Sequence, residues 1–111
     1  MTNEQLALKH KFLNKHIFFG LNKIPNVETS SMVSFNEEDF AIVLKRVKEH
    51  KIGIYGIEVS FDSEFYSIKT HEEFSTFPQD GEWYTAAFKS LKEYQLDLRY
   101  SASYYIAGNL L

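Results

Sequence analysis

At 111 residues, with 44% apolar and 24% charged side chains, the chain is long enough for one ordinary hydrophobic core and too short for two, and its composition excludes a disordered polymer. It contains no cysteine, which excludes disulfides, thiol catalysis and cysteine-ligated metals, and its net charge of -3 argues against general nucleic-acid binding, which needs a basic stripe. No apolar run approaches the ~20 residues that cross a bilayer, and Met1 to Gln5 carry no signal-peptide pattern, so a cytoplasmic protein with no membrane partner is expected.

In chain order, Glu4 to Asn14, with Leu6, Leu8, Phe12 and Leu13, predict a short N-terminal helix. The apolar run His16 to Leu21 is the expected first strand, with Ser30 to Phe35 as the alternative. A second helix is expected from Asn36 to Lys51, because Phe40, Val43, Leu44 and Val47 recur at i, i+3, i+4 and i+7. Ser34 and Glu37 read as its capping box, and Glu37, Glu38 and Asp39 occupy the turn where the helix dipole favours anions.

Ile52 to Phe61 then alternates as a strand, which puts Tyr55, Ile57, Val59 and Phe61 on one face and Ile54, Gly56, Glu58 and Ser60 on the other. Turn residues at Phe61 to Glu64 lead into a second β-rich run ending at Thr70, so the two runs form an antiparallel hairpin. Thr70 to Gly81 reads as an acidic loop in which Asp80 caps the next helix, residues 82 to 95, whose stripe is Tyr84, Ala87, Phe88, Leu91 and Gln95. Residues 96 to 106 form the last strand, with Leu96, Leu98, Tyr100, Ala102, Tyr104 and Ile106 opposite Asp97, Arg99, Ser101, Ser103 and Tyr105.

The segment Leu44 to Ile54 aligns without gaps with Phe88 to Leu98, 44 residues later, sharing Lys-x-x-Lys-Glu and the apolar positions. The same offset carried back from the strand at 65 to 70 points to residues 21 to 26 as the missing first strand. Together these elements predict a single α+β domain over residues 1–111, a ferredoxin-like β-α-β-β-α-β sandwich with an extra N-terminal helical segment. Both helices would cover one sheet face. In the usual order of such a sheet the strands at 53–61 and 96–106 are not neighbours, so a direct pair of Glu58 with Arg99 is open but is the less favoured arrangement.

Chemistry-bearing motifs are scarce. His10, His16, His50 and His71 have no metal-ligand spacing, the five glycines form no phosphate-binding loop, and no Gly-x-Ser-x-Gly elbow occurs. No cofactor, metal or catalytic residue is expected. An RNA-recognition sheet would require a basic-aromatic signature that is missing here. Charge is instead unevenly spread: residues 1–24 carry Lys9, Lys11, Lys15 and Lys23 against Glu4, whereas residues 52–82 carry seven acidic side chains against Lys69. Such a block is commonly a solvated loop region, and its functional reading is a docking surface for a basic partner.

Three stretches, Ile54-Tyr-Gly-Ile-Glu-Val59, Trp83-Tyr84 and Tyr100-Ser-Ala-Ser-Tyr104, give residues 35–105 a look that resembles the small immunity proteins encoded beside bacterial polymorphic or contact-dependent-inhibition toxins. The resemblance implies an intracellular inhibitor that binds one cognate toxin domain and masks its active site. A basic, nuclease-like toxin would be met by Glu58, Asp62, Glu64, Glu72, Glu73, Asp80 and Glu82, with Tyr66 and Trp83 as aromatic anchors. For Trp83, core packing is the commoner role. The competing function is a regulatory or ligand-binding module acting as a homodimer.

Overall fold

The computed structural model of the protein describes residues 2–25, 33–62 and 64–111. Thr2 opens α1 (Asn3–Phe12) through a capping box with Gln5. The helix then widens into a π-helical turn, Leu13–Ile17, which buries Leu13 and Ile17 and ends with Phe18 N–H donating to Leu13 O at 2.8 Å. The expected strand at 16–21 is therefore absent: His16 and Ile17 belong to the π turn, and the chain bends through Gly20, whose φ of 75° is left-handed. Arg46 explains why the carbonyls there need no strand partner. Its Nη1 donates to Ile17 O at 2.9 Å and Phe19 O at 2.7 Å, and its guanidinium lies 3.9 Å above the Phe19 ring.

A short strand β1 (Ile24–Pro25) does fall within 21–26, where the repeat offset pointed, but it pairs with β2 (Val33–Ser34) rather than with the main sheet. Asn26 and residues 30–32 of the alternative strand lie outside the described residues. Phe35, directly after β2, exchanges both backbone hydrogen bonds with Tyr100 at 2.8 Å each, so the 33–35 part of the alternative supplies a fourth strand position.

Helix α2 (Glu37–Glu49) buries Phe40, Val43, Leu44 and Val47, the stripe its period predicts. Its cap is Asn36, which accepts from Asp39 N at 2.8 Å; Ser34 is buried in β2 and plays no part. Strand β3 (Gly53–Phe61) turns into β4 (Glu64–Thr70) as the hairpin requires, although Ser63 in the turn lies outside the described residues. A 3-10 turn (His71–Phe74) interrupts the acidic loop before α3 (Gly81–Tyr94), which buries Trp83, Tyr84, Ala87, Phe88 and Leu91. Strand β5 (Arg99–Tyr105) closes the set, and Leu96, expected on its core face, lies outside it and exposed.

The antiparallel sheet runs β4-β3-β5, with Phe35 extending the β5 edge. The α+β class and the extra N-terminal helix stand, while the strand order differs from the ferredoxin-like expectation. Here β3 and β5 are neighbours over seven residue pairs, so Glu58 lies opposite Ser101, with Arg99 one pair further along the same face, opposite Ser60. The two helices contact each other and lie against β3 and β5. Their apolar stripes meet Ile54, Ile57, Val59, Tyr100, Ala102 and Tyr104 in one core.

One bulge corrects the expected faces of β3. The β3–β5 register passes from Ile54 opposite Tyr104 to Gly56 opposite Ser103, so Tyr55 is the extra residue. Ile54 consequently joins Ile57 and Val59 in the core, and Tyr55 is turned out, 43% exposed. Within the repeat, Leu44 and Phe88, Val47 and Leu91, and Ile54 and Leu98 are buried in register, whereas Ile52 is buried and Leu96 is not.

Candidate protein-binding surface

Helices cover one side of the sheet; the other carries Tyr55, Glu58 and Ser60 from β3, Arg99, Ser101, Ser103 and Tyr105 from β5, and Phe65, Ile68 and Thr70 from β4. Ser101 is buried there and donates through Oγ to Glu58 O at 3.3 Å, while Glu58 is half-buried. Among the described residues no ion pair joins Glu58 to Arg99. Tyr55 meets Tyr105 edge-on at 5.8 Å and His71 at 6.1 Å, forming an aromatic end to this face. It is a polar, aromatic-edged surface, a composition suited to recognition.

The acidic side chains do not form one cluster. Asp62, with a left-handed φ of 53°, and Glu64 sit at the hairpin end of β4, whereas Glu72 and Glu73 occupy the 3-10 turn at its other end. Six strand residues, 65–70, separate the two groups, about 20 Å. Glu73 is engaged locally, its Oε1 accepting from Thr70 N at 3.0 Å, while the Glu72 side chain is almost fully exposed, 3.9 Å from His71 Nε2. Asp80 is a helix cap: it accepts from Thr76 Oγ1 at 2.7 Å and Glu82 N at 3.0 Å, and those two bonds hold its carboxyl below the usual range. Glu82 is exposed in the first turn of α3.

Of the two expected anchors, Tyr66 is exposed and meets Phe61 edge-on at 6.4 Å. Trp83 is not an anchor: it is 2% exposed, packs against Phe74 and Tyr84, and sits 3.4 Å through Nε1 from the Pro78 carbonyl. The physical reason is that the first turn of α3 meets both the start of β3 and the 3-10 loop, so two successive residues, Trp83 and Tyr84, find apolar surroundings.

What the sequence reading missed is the apolar surface between the acidic ends. Phe65 is 54% and Ile68 47% exposed on the open face, and Phe74 and Phe77 are exposed in the loop beyond. Alternation in the sequence does not mark it, since period 2 would group Phe65 with Ser67 and Lys69; the register puts Glu64, Ser67 and Lys69 on the helix side and turns Phe65 and Ile68 outward. Also unforeseen is the approach of His16 to His50, whose rings meet edge-on at 5.1 Å beside Phe12. Among the described residues no three potential ligands come together as a metal site, and no described helix is long and apolar enough to cross a membrane.

A cavity of about 360 Å³ separates α1 from β5, with Leu6, Leu13, Phe18 and Val33 among its walls and Lys9, His10 and Ser103 as polar lining. Lys9 has its ammonium pKa lowered by burial. Tyr104, which also lines the cavity, has a buried hydroxyl without a hydrogen-bond partner, as has Tyr100. Burial pushes the Tyr104 phenol well above its ordinary range; burial and then the nearby Glu37 charge push Tyr100 up to about 12.

These phenols stay protonated in the folded chain while the unfolded chain ionises from about pH 10, so their contribution to stability is complete below pH 10 and is lost as pH rises toward the folded values. We expect alkaline unfolding that steepens above pH 10, by up to about 1.4 kcal/mol per pH unit for each such tyrosine. Tyr104→Phe is expected to flatten that decline and to gain about 1 kcal/mol near neutrality by removing an unpaired buried hydroxyl. Urea titrations at pH 7, 10 and 11 measure both effects, and an unchanged alkaline slope in the variant would contradict the burial assigned to this phenol.

A scan of protein-family models, a search of curated proteins and a search of solved structures each give no match to this chain.

Proposed function

We propose that the protein is an intracellular inhibitor that neutralises a cognate bacterial toxin domain by covering its active site. The observation that carries this reading is the open sheet face itself: exposed Tyr55, Phe65 and Ile68 around the half-buried Glu58, with acidic Asp62 and Glu72 at opposite ends of β4. Aromatic side chains supply binding energy at the centre of an interface, and an acidic rim speeds encounter with a basic one. A phosphate-handling, nuclease-like toxin domain has that basic character. The sequence resemblance to immunity proteins points the same way.

In the proposed complex Tyr55, Phe65 and Ile68 form the contact, while Glu58, Asp62, Glu64, Glu72 and Glu82 supply steering charge. Glu73 and Asp80 serve the fold, since their carboxylates are occupied by backbone and threonine donors.

The test begins with the neighbouring genes, where an adjacent open reading frame should encode a large secreted protein with a variable C-terminal domain. Co-expression of this chain with that domain should rescue growth, and Tyr55→Ala with Phe65→Ala should abolish the rescue. Asp62→Lys with Glu72→Lys should slow association about tenfold or more at low salt, with the difference shrinking as salt is added. Absence of rescue and of binding to that domain would refute the reading.

A further inference from the structure

β4 is an edge strand, and of the devices that keep edges apart it carries a bulge and the inward-facing charges of Glu64 and Lys69, which any pairing register must accommodate. It runs seven residues, contains no proline, and presents a row of backbone groups with no strand beyond it among the described residues. Lys69 is its one basic residue. Its side chains are arranged in an unusual way because of a second bulge. The β3–β4 register passes from Ser60 opposite Phe65 to Val59 opposite Ser67, leaving Tyr66 as the extra residue.

Without that bulge, residues three or five apart would lie on opposite faces of the strand. With it, Phe65 and Ile68 share the open face, opposite Ser60 and Glu58, and Glu64 and Lys69 share the helix side, opposite Phe61 and Ile57. Ser67 lies between the members of both pairs.

A two-fold axis through Ser67, with Tyr66 set aside as the bulged residue, would bring two β4 strands together antiparallel. Phe65 then faces Ile68 of the partner subunit, and Glu64 faces Lys69 of the partner subunit. Symmetry supplies each contact twice. The strand is thus self-complementary in hydrophobicity and in charge, which is the condition an isologous interface must satisfy.

We propose that two copies of this chain associate through their β4 edges in this register, forming one continuous antiparallel sheet across the pair. A seam of one strand per copy belongs with the small, transient interfaces, and each copy carries a net charge of -3, so association is weak and concentration-dependent. Pairing takes Glu64 into the seam and leaves Glu58, Asp62 and Glu72 on the flanks. It stands independently of the toxin reading, since it requires no second protein.

Sedimentation velocity across a concentration series should show a monomer giving way reversibly to a dimer. Glu64→Lys places two lysines opposite each other at both ends of the seam, and Lys69→Glu places two glutamates there. Each single variant should weaken self-association about tenfold or more.

Mixing the two variants restores opposite charges at both positions, so the mixture should associate as the original chain does, and the double variant Glu64→Lys with Lys69→Glu should do so alone. A mixed-label NMR sample should show Phe65-to-Ile68 contacts between copies. A monomer at every concentration, a dimer indifferent to the charge reversals, or single variants that do not pair on mixing would each overturn the proposal. Circular dichroism of each variant separates lost association from lost folding, and the mixing experiment is read on those that fold.

Discussion

Replacing Phe40 by alanine is expected to cost about 3–5 kcal/mol of folding stability. Phe40 is fully buried, stacks on Tyr100 with ring centroids 5.2 Å apart and planes 15° from parallel, and meets Phe88 at 5.6 Å. Tyr100 and Phe88 in turn meet edge-on at 5.0 Å, so three rings join α2, α3 and β5 at one point. Truncation removes the ring that touches both others and leaves a cavity that three separate elements would have to move to fill. A domain of this size has only about 5–15 kcal/mol in total, and at roughly 4–8 °C per kcal/mol the midpoint should fall by about 15 °C or more. Ile42, two residues along the same helix and exposed, provides the control: Ile42→Ala should cost less than about 1 kcal/mol. Equal losses for the two variants in thermal or urea unfolding would contradict the packing described for α2.

Gly53→Ala is the second substitution with a large expected effect, about 3 kcal/mol, and its cause is steric. A Cβ at this position would stand 2.7 Å from the Pro78 carbonyl carbon, 2.8 Å from its oxygen and 2.9 Å from Gln79 N. All three are backbone atoms, which cannot rotate aside, so either the start of β3 or the loop must shift. That movement would also strain the hydrogen bond from Ile54 N to Pro78 O, 2.9 Å in length, and the Trp83 indole contact to the same carbonyl. We therefore expect the single tryptophan to report the change directly, with red-shifted, more quenchable fluorescence, alongside the loss of stability in urea. Unaltered emission and a loss under 1 kcal/mol would mean that the loop is not seated on β3 in this way.

Both substitutions concern positions whose importance differs in legibility. Phe40 was visible in the sequence, because the recurrence Phe40, Val43, Leu44 and Val47 depends only on helical period, and all four are buried. Gly53 was visible only as a glycine without a motif; its constraint comes from Pro78, twenty-five residues away in the chain. The candidate surface divides in the same manner. The acidic character of residues 52–82 can be counted in the sequence, but which carboxylates are free cannot, since Glu73 and Asp80 are engaged by donors that the folded loop brings to them. Trp83 likewise looks like an anchor by residue type and becomes core by position.

Local pattern determined by itself the class of this protein: two amphipathic helices, the hairpin, the last strand, the buried stripe of α2 and that of α3 apart from Trp83 and Gln95 follow from periods of 3.6 and 2 and from caps such as Asp80. Tertiary structure alone decided the strand order, the helical fate of residues 16 and 17 and the faces of β3 and β4. Strand order depends on long-range pairing such as β3 with β5, and the N-terminal turn depends on Arg46 reaching carbonyls 27 and 29 residues away. The two bulges, at Tyr55 and Tyr66, arise from how neighbouring strands register, which no alternation within one strand records. Each bulge shifts side chains by one position, and that shift turns Tyr55 outward and sets Phe65 beside Ile68 on the open face.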